Sequence, residues 1–343
     1  MRITDRQKQA LALGAVSAGA FMAARAWRRE PYGFNGKSVL ITGGSRGLGL
    51  VMARALAREG ARLTIVARDE SELRRASDDI RTREPFAEVL ATAADVRKRH
   101  DAERAVAQTV ERYGGIDVLI NNAGIIQVGP VDHMKPADYD DAMNTHFWGP
   151  LYAILAAIPY MRRHGGGRIV NISSIGGRIA VPHLVPYCAS KFALTGLSDG
   201  LRTELLREGI IVTTVCPGLM RTGSPVNAMF KGKRAQEYAW FAISDSLPIS
   251  SIKAERAARR IIEACRRGDA ELVITAQAKL AILARTLAPE LFQEALAFVD
   301  RLLPSPTDAD GDVAQPGREN ESTWAPSALT APTYAAARKN NEL

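Results

Sequence analysis

Residues 38–58 read S-V-L-I-T-G-G-S-R-G-L-G-L-V-M-A-R-A-L-A-R, and this stretch decides the fold. A short aliphatic run comes first, then a loop with Gly43, Gly47 and Gly49, then a helical pattern. Leu48, Val51, Met52, Ala55 and Leu56 recur at i, i+3, i+4, i+7 and i+8, so the helix turns one apolar stripe toward a sheet. Glycines between strand and helix let the backbone turn sharply and approach a pyrophosphate, while the free N–H groups at the helix start supply donors for an anion. The spacing is G-x-x-x-G-x-G, which differs from the common G-x-G-x-x-G dinucleotide fingerprint.

Outward from this unit the same rhythm repeats. β-Branched runs at 38–41, 62–67, 88–93, 117–121, 168–172, 211–216 and 271–274 predict seven strands, and helical patterns fill 70–82, 101–113, 139–163, 187–207 and 254–267. Such alternation predicts an α/β fold, a parallel sheet covered on both faces by helices. Residues 219–251 break the pattern with Met220, Met229, Phe230, Tyr238, Trp240 and Phe241, and are read as a substrate lid whose apolar side chains line a pocket or anchor the loop. A helical extension follows at 276–303, interrupted at Pro289, with Leu291, Phe292, Ala295, Val299 and Leu302 on one face, read as packing on the domain or a partner subunit in preference to membrane contact. Residues 304–343, rich in Pro, Ala, Asp, Thr and Asn, are expected to be disordered.

The chain has 343 residues and a net charge of +8 spread along its length, without the aromatic-interleaved basic motif of a nucleic-acid binder. Cys188, Cys216 and Cys265 are too scattered for a disulfide framework or a zinc site, which makes a reducing, cytosol-facing location the default. No metal is expected, and His100, His133, His146 and His164 are read as structural. His183, a loop histidine, is read as a packing residue. Near the start, residues 10–24 are apolar and flanked by Arg6, Lys8, Arg25, Arg28 and Arg29. At 15 residues the run falls short of the roughly 20 that span a bilayer, so three readings of the 1–35 leader stand: membrane attachment, a packed or disordered leader, and a cleaved signal.

Two further features bear on chemistry. At the end of the second strand Ala67 is followed by Arg68, whose guanidinium suits a ribose 2′-phosphate through paired, charge-assisted hydrogen bonds; this favours NADPH/NADP+ over NAD(H). Arg46 in the glycine loop could assist, and Asp69, one residue on, keeps the NAD(H) reading open. Tyr187 and Lys191 lie four apart on one helix face, where an ammonium can lower a phenol's pKa toward the range of a general acid or base.

T-G-G-S-R-G-L-G, Asp95-Val96, N-N-A-G at 121–124, Asn144, I-S-S at 172–174, Y-C-A-S-K at 187–191 and Pro217-Gly218 occur in the order of the classical short-chain dehydrogenase/reductase family, which the chain resembles over residues 36–275. The resemblance implies a Rossmann-type doubly wound sheet and an oxidoreductase acting on a small carbonyl or alcohol. It implies Tyr187 as catalytic acid/base, Lys191 lowering its pKa and holding the nicotinamide ribose, Ser174 polarising the substrate carbonyl, and Asn144 anchoring a water in the proton relay. Thr42, Gly43, Ser45, Arg46, Gly47, Leu48 and Gly49 would cradle the pyrophosphate. Asp95 and Val96 would meet the adenine, while Asn121, Ala123 and Gly124 line the adenosine and ribose. Thr222, after Pro217-Gly218, would reach the carboxamide or phosphates. A homo-oligomer is expected, at a cytoplasmic or membrane-face location. A membrane-associated NADPH sensor or scaffold without turnover is the alternative.

Overall fold

The strands that hold this protein together are aliphatic runs buried on both faces, and their order sets where the site lies. The structure, a computed structural model, describes residues 32–247 and 251–343; the apolar run at 10–24 lies outside the described residues. The strands are β1 (Ser38–Thr42), β2 (Arg62–Ala67), β3 (Val89–Ala93), β4 (Val118–Asn121), β5 (Gln127–Val128), β6 (Gly167–Ile172), β7 (Ile210–Cys216), β8 (Leu219–Arg221), β9 (Met229–Phe230), β10 (Ser251–Lys253), β11 (Glu271–Val273) and β12 (Gln315–Pro316). The helices are α1 (Gly47–Arg58), α2 (Glu70–Arg83), α3 (Arg99–Tyr113), α4 (Pro136–Met143), α5 (Gly149–Arg163), α6 (Val185–Leu205), α7 (Ser224–Asn227), α8 (Arg234–Ser246), α9 (Ala254–Arg267), α10 (Ala276–Leu287), α11 (Pro289–Asp300) and α12 (Ala331–Lys339).

Seven strands form one parallel sheet in the order β11-β7-β6-β4-β1-β2-β3, the Rossmann-type arrangement expected. Strand order reverses between β1 and β4, and a crevice opens beyond the carboxyl ends of the strands at such a reversal. One face of the sheet is sealed by α3 and α5, where Val106, Ile154, Ala157 and Met161 meet Leu119 and Ile169. Helix boundaries follow local chemistry. Asp69 caps α2 by accepting from Glu72 N at 2.9 Å, and Gly114 ends α3 at φ 81°.

Three sequence expectations change. The helix expected over 139–163 is broken by a π turn, Asn144–Trp148, between α4 and α5. The 276–303 extension parts into two helices at Pro289, where its pattern is interrupted, but its apolar face is not packed on the domain: Leu283, Leu291, Phe298 and Leu302 are all exposed. Most consequential, residues 304–343 are folded rather than disordered. β12 pairs antiparallel with β9, Ala325 is buried among Phe230, Tyr238 and Phe241, and Tyr334 on α12 bonds the Tyr238 hydroxyl at 2.6 Å. Thr333 bonds Ser246 at 2.7 Å. The described residues of the segment read as a lid are therefore ordered, anchored by the buried aromatics Phe230 and Tyr238. Among the described residues no helix is long and apolar enough to cross a membrane.

Candidate active site

At the phosphate end, the glycine loop is tightened by its own backbone. Gly43 N and Gly44 N both donate to Val66 O, at 2.7 and 3.2 Å, and a Cβ on Gly49 would lie 2.0 Å from Gly43 O, so only glycine fits there. The Thr42 hydroxyl accepts from Asn122 N at 3.0 Å and Ala123 N at 3.1 Å, while Asn122 donates to Thr42 O and Gly43 O. The loop is thus stitched to the end of β4, and Asn122 is a residue that the motif reading passed over. Gly47, at φ 54°, opens α1; a Cβ there would meet the Glu342 carboxyl at 2.9 Å. The start of α1, where the Gly47 N–H donates to Asn340 O and the Glu342 side chain occupies the space a Cβ would take, has room and a donor for an anionic group.

The flanking charges divide into engaged and open. Ser45 and Arg46 both bond Glu72, each at 2.9 Å, and Arg46 also reaches Asn227 at 3.4 Å. Asp95 is clamped by Arg97, which approaches its carboxylate at 2.7–3.1 Å. The Asp69 carboxylate is spent on the α2 cap and on Ser71 at 2.6 Å. Arg68 is exposed at the end of β2 and among the described residues has no hydrogen-bond or ion-pair partner.

At the other end, α6 carries Tyr187 and Lys191 beside the loop after β6. Adjacent serines there have opposite fates. The Ser173 hydroxyl is buried against Thr195 at 2.8 Å and Lys191 O at 3.1 Å, while Ser174 accepts from Gly176 N at 3.0 Å and lies with the Tyr187 ring beside Gly176. Lys191 donates to Ile172 O at 2.8 Å, with its ammonium 5.7 Å from the Tyr187 ring centre. Burial pushes the phenol up to about 12, against a downward pull from the Ser174 hydrogen bond, and pushes the lysine down to about 7. Burial outweighs the Ser174 contribution at the phenol, and Lys191 is not among the causes of its shift. Lys191 is buried and Tyr187 half-buried, and desolvation favours the neutral form of each.

Asn144 opens the π turn, and among the described residues its side chain makes no hydrogen bond. His146, two residues later and read as structural from sequence, lies edge-on to Tyr187 with ring centres 5.4 Å apart. Its Nε2 accepts from Ile125 N at 3.1 Å, so Nδ1 carries the proton and donates to Ser190 Oγ at 2.8 Å. Ser190 in turn donates to Tyr187 O at 2.8 Å. Burial and the neighbouring Lys191 charge hold the imidazole well below its ordinary pKa, hence neutral. A π turn at a functional site is a recurrent device, and its wider pitch displaces side chains from the positions α-helical counting assigns.

Other expected residues are placed as follows. Asn121 is turned into the sheet, donating to Asn171 at 2.8 Å rather than lining a ribose. Thr222, buried, bonds Ser224 Oγ at 2.7 Å, and the next residue's N–H, at Gly223, is held by Glu342. Ala123 and Gly124 follow β4 at the crevice, Gly124 against His146; Val96 packs on Gly149; Leu48 lies in the first turn of α1; Ile175 N donates to Pro217 O at 2.7 Å, and Gly218 abuts Thr275. His183 bonds buried Glu237 at 2.8 Å, a packing role. Among the described residues no group of metal-ligating side chains forms a site.

The family model for short chain dehydrogenases matches residues 37–230, more than half of the chain. The chain belongs to this family. It is similar to "11-beta-hydroxysteroid dehydrogenase-like 4A" of Arabidopsis thaliana, 39% identical over 197 residues that cover 57% of this chain and 65% of that protein. It is also similar to "Dehydrogenase/reductase SDR family protein 7-like" of Drosophila melanogaster, 31% identical over 261 residues, 75% and 78% of the two chains. Among solved structures, L-sorbose reductase of Gluconobacter frateurii, complexed with NADPH and L-sorbose, superposes with a TM-score of 0.64 at 26% identity, covering 71% of this chain and 97% of that one. This short-chain dehydrogenase is an oxidoreductase acting on a carbonyl/alcohol pair, with a nicotinamide cofactor site in its Rossmann-type sheet.

Proposed function

We propose that the protein interconverts a carbonyl and a secondary alcohol with NADP(H), using Tyr187 as general acid and base. The observation that carries this is the convergence of the Ser174 hydroxyl and the half-buried Tyr187 ring beside Gly176, with buried Lys191 one helical turn further along α6. A nicotinamide dinucleotide, when bound, supplies or accepts the hydride. The chain's own residues handle the oxygen. The Ser174 hydroxyl, fixed by Gly176 N–H, and the Tyr187 phenol are donors aimed at the oxygen on which negative charge develops. With its pKa near 12 the phenol is protonated at neutral pH, the form that carbonyl reduction needs. Removal of a proton from an alcohol needs the phenolate, so oxidation should gain as pH rises.

Two assignments refine the picture. His146, rather than Asn144, is a positioning residue: the directed chain Ile125 N–H to His146 to Ser190 to Tyr187 O fixes the helix turn that bears the acid. Exposed Arg68 supports the choice of a 2′-phosphorylated cofactor, because Asp69 is committed to its cap. Half-buried Ile126, Val181 and Trp240 pack against the same apolar cluster as Tyr187, which suits an apolar carbonyl compound. The test is NADPH oxidation across a panel of ketones and aldehydes. Tyr187→Phe should cut kcat by about 10²–10⁴ while leaving NADPH affinity within a factor of about two; retention of full turnover would refute the mechanism.

A further inference from the structure

The 339–342 segment enters the cofactor crevice at the glycine loop. Gly47 N, at the start of α1, donates to Asn340 O at 2.9 Å, and Asn341 donates to Ser45 O at 2.9 Å and Glu72 O at 3.1 Å. From the opposite wall, Gly223 N donates to Glu342 Oε2 at 2.6 Å, and Asn227 donates to Glu342 O at 3.0 Å. Arg54 holds Asn340 Oδ1 and Lys339 O, at 2.8 and 3.0 Å, and Arg75 holds Asn341 Oδ1 at 2.8 Å. Asn340 is 1% exposed and Glu342 8%, so this is a seated plug rather than a strand of chain lying over a surface.

These contacts use what a dinucleotide's pyrophosphate would use: the N–H at the start of α1 and the N–H after Thr222 on the facing loop. The Gly47 N–H is already engaged by Asn340 O, and the Glu342 carboxyl fills the space in front of Gly47 so closely that a Cβ there would meet it at 2.9 Å, so space and bonding capacity are both taken. We infer that residues 340–342 are an internal competitor of the cofactor, seated in the pyrophosphate position, and that this segment must leave before NADP(H) can bind. The inference rests on the functional reading above, since it takes the crevice to be the dinucleotide site. Such a plug lowers apparent cofactor affinity by the fraction of molecules in which the crevice is open.

The experiment compares the protein with its Asn341→Ala/Glu342→Ala variant, measuring the NADPH dissociation constant by calorimetry and amide hydrogen exchange over 331–343. The variant should bind NADPH about tenfold tighter or more. Saturating NADPH should raise exchange across 339–343 in the parent. Equal dissociation constants, with the segment still protected under saturating NADPH, would overturn the plug alone. Failure of both proteins to bind NADPH or NADH would overturn the functional reading and the plug with it.

Discussion

The two ends of the crevice are built from opposite materials. Around Tyr187 the groups are buried and mutually satisfied: Lys191 on Ile172 O, Ser173 on Thr195, His146 between Ile125 N and Ser190. Around Gly47 the contacts come from a segment nearly 300 residues further along the chain, through backbone and amide groups that any other acceptor could replace. The first arrangement is fixed by desolvation, because exposing any member would cost the whole network its partners. The second is held by exchangeable bonds. Proton transfer needs donors already in place, whereas cofactor entry needs a site that can be vacated.

If the chemical end is fixed as described, damage there should be severe and should not touch binding. His146→Ala, which breaks the bond chain without removing the acid, is expected to lower kcat by about 10- to 100-fold and leave the NADPH dissociation constant unchanged. His146→Asn, which keeps an acceptor for Ile125 N, should recover part of the rate; equal loss in both would reduce His146 to packing. The phosphate end should respond in the reverse sense. Arg68→Glu should weaken NADPH by about tenfold or more and spare NADH, read as the ratio of the two dissociation constants. A ratio that does not move would remove Arg68 from the 2′-phosphate.

A smaller effect should separate the ends by pH. Burial, opposed by the Gly223 hydrogen bond and the charge of Arg46 and abetted by that of Glu72, pushes Glu342 up to about 7 from an ordinary 4.5. Asp245, whose own pKa is raised well above normal by burial, also faces it. A carboxyl with a raised docked pKa contributes docking stability that is full below about 4.5 and declines as pH rises through 7. Glu342→Gln mimics the protonated form. NADP+ affinity of parent and variant should coincide at the acid end of this window, and at pH values above it the variant should bind several-fold more weakly; the same ratio at both ends would exclude a titrating plug. Smallest is the loss of one tether. Tyr334→Phe removes the bond to Tyr238 and should cost about 1 kcal/mol, seen as a drop of a few degrees in Tm.

What was legible in the sequence was whatever declares itself locally. The aliphatic strands and the stripe on α1 report their burial through spacing alone, and the glycine loop, Ser174, Tyr187 and Lys191 stand in a fixed order along the chain. The misses share a different physical cause. His146 reached the site because the π turn alters the helical pitch, and composition gives no signal of that. Residues 304–343 lack periodicity because they bury no face of their own against a sheet. They fold by adding β12 to β9, by inserting Ala325 into the lid cluster, and by polar bonds to residues far away in sequence. Pro- and Asp-rich composition reports a weak local core and says nothing of a surface waiting to receive it.

The tether from α12 to the lid also bears on time. Because Tyr334 and Thr333 anchor the segment to α8 while residues 340–342 sit in the crevice, clearing the crevice is an event within one molecule, at a rate that added cofactor cannot accelerate. Reactions started by mixing resting protein with NADPH and substrate would then begin with a lag, one that preincubation with NADPH abolishes and protein concentration leaves untouched.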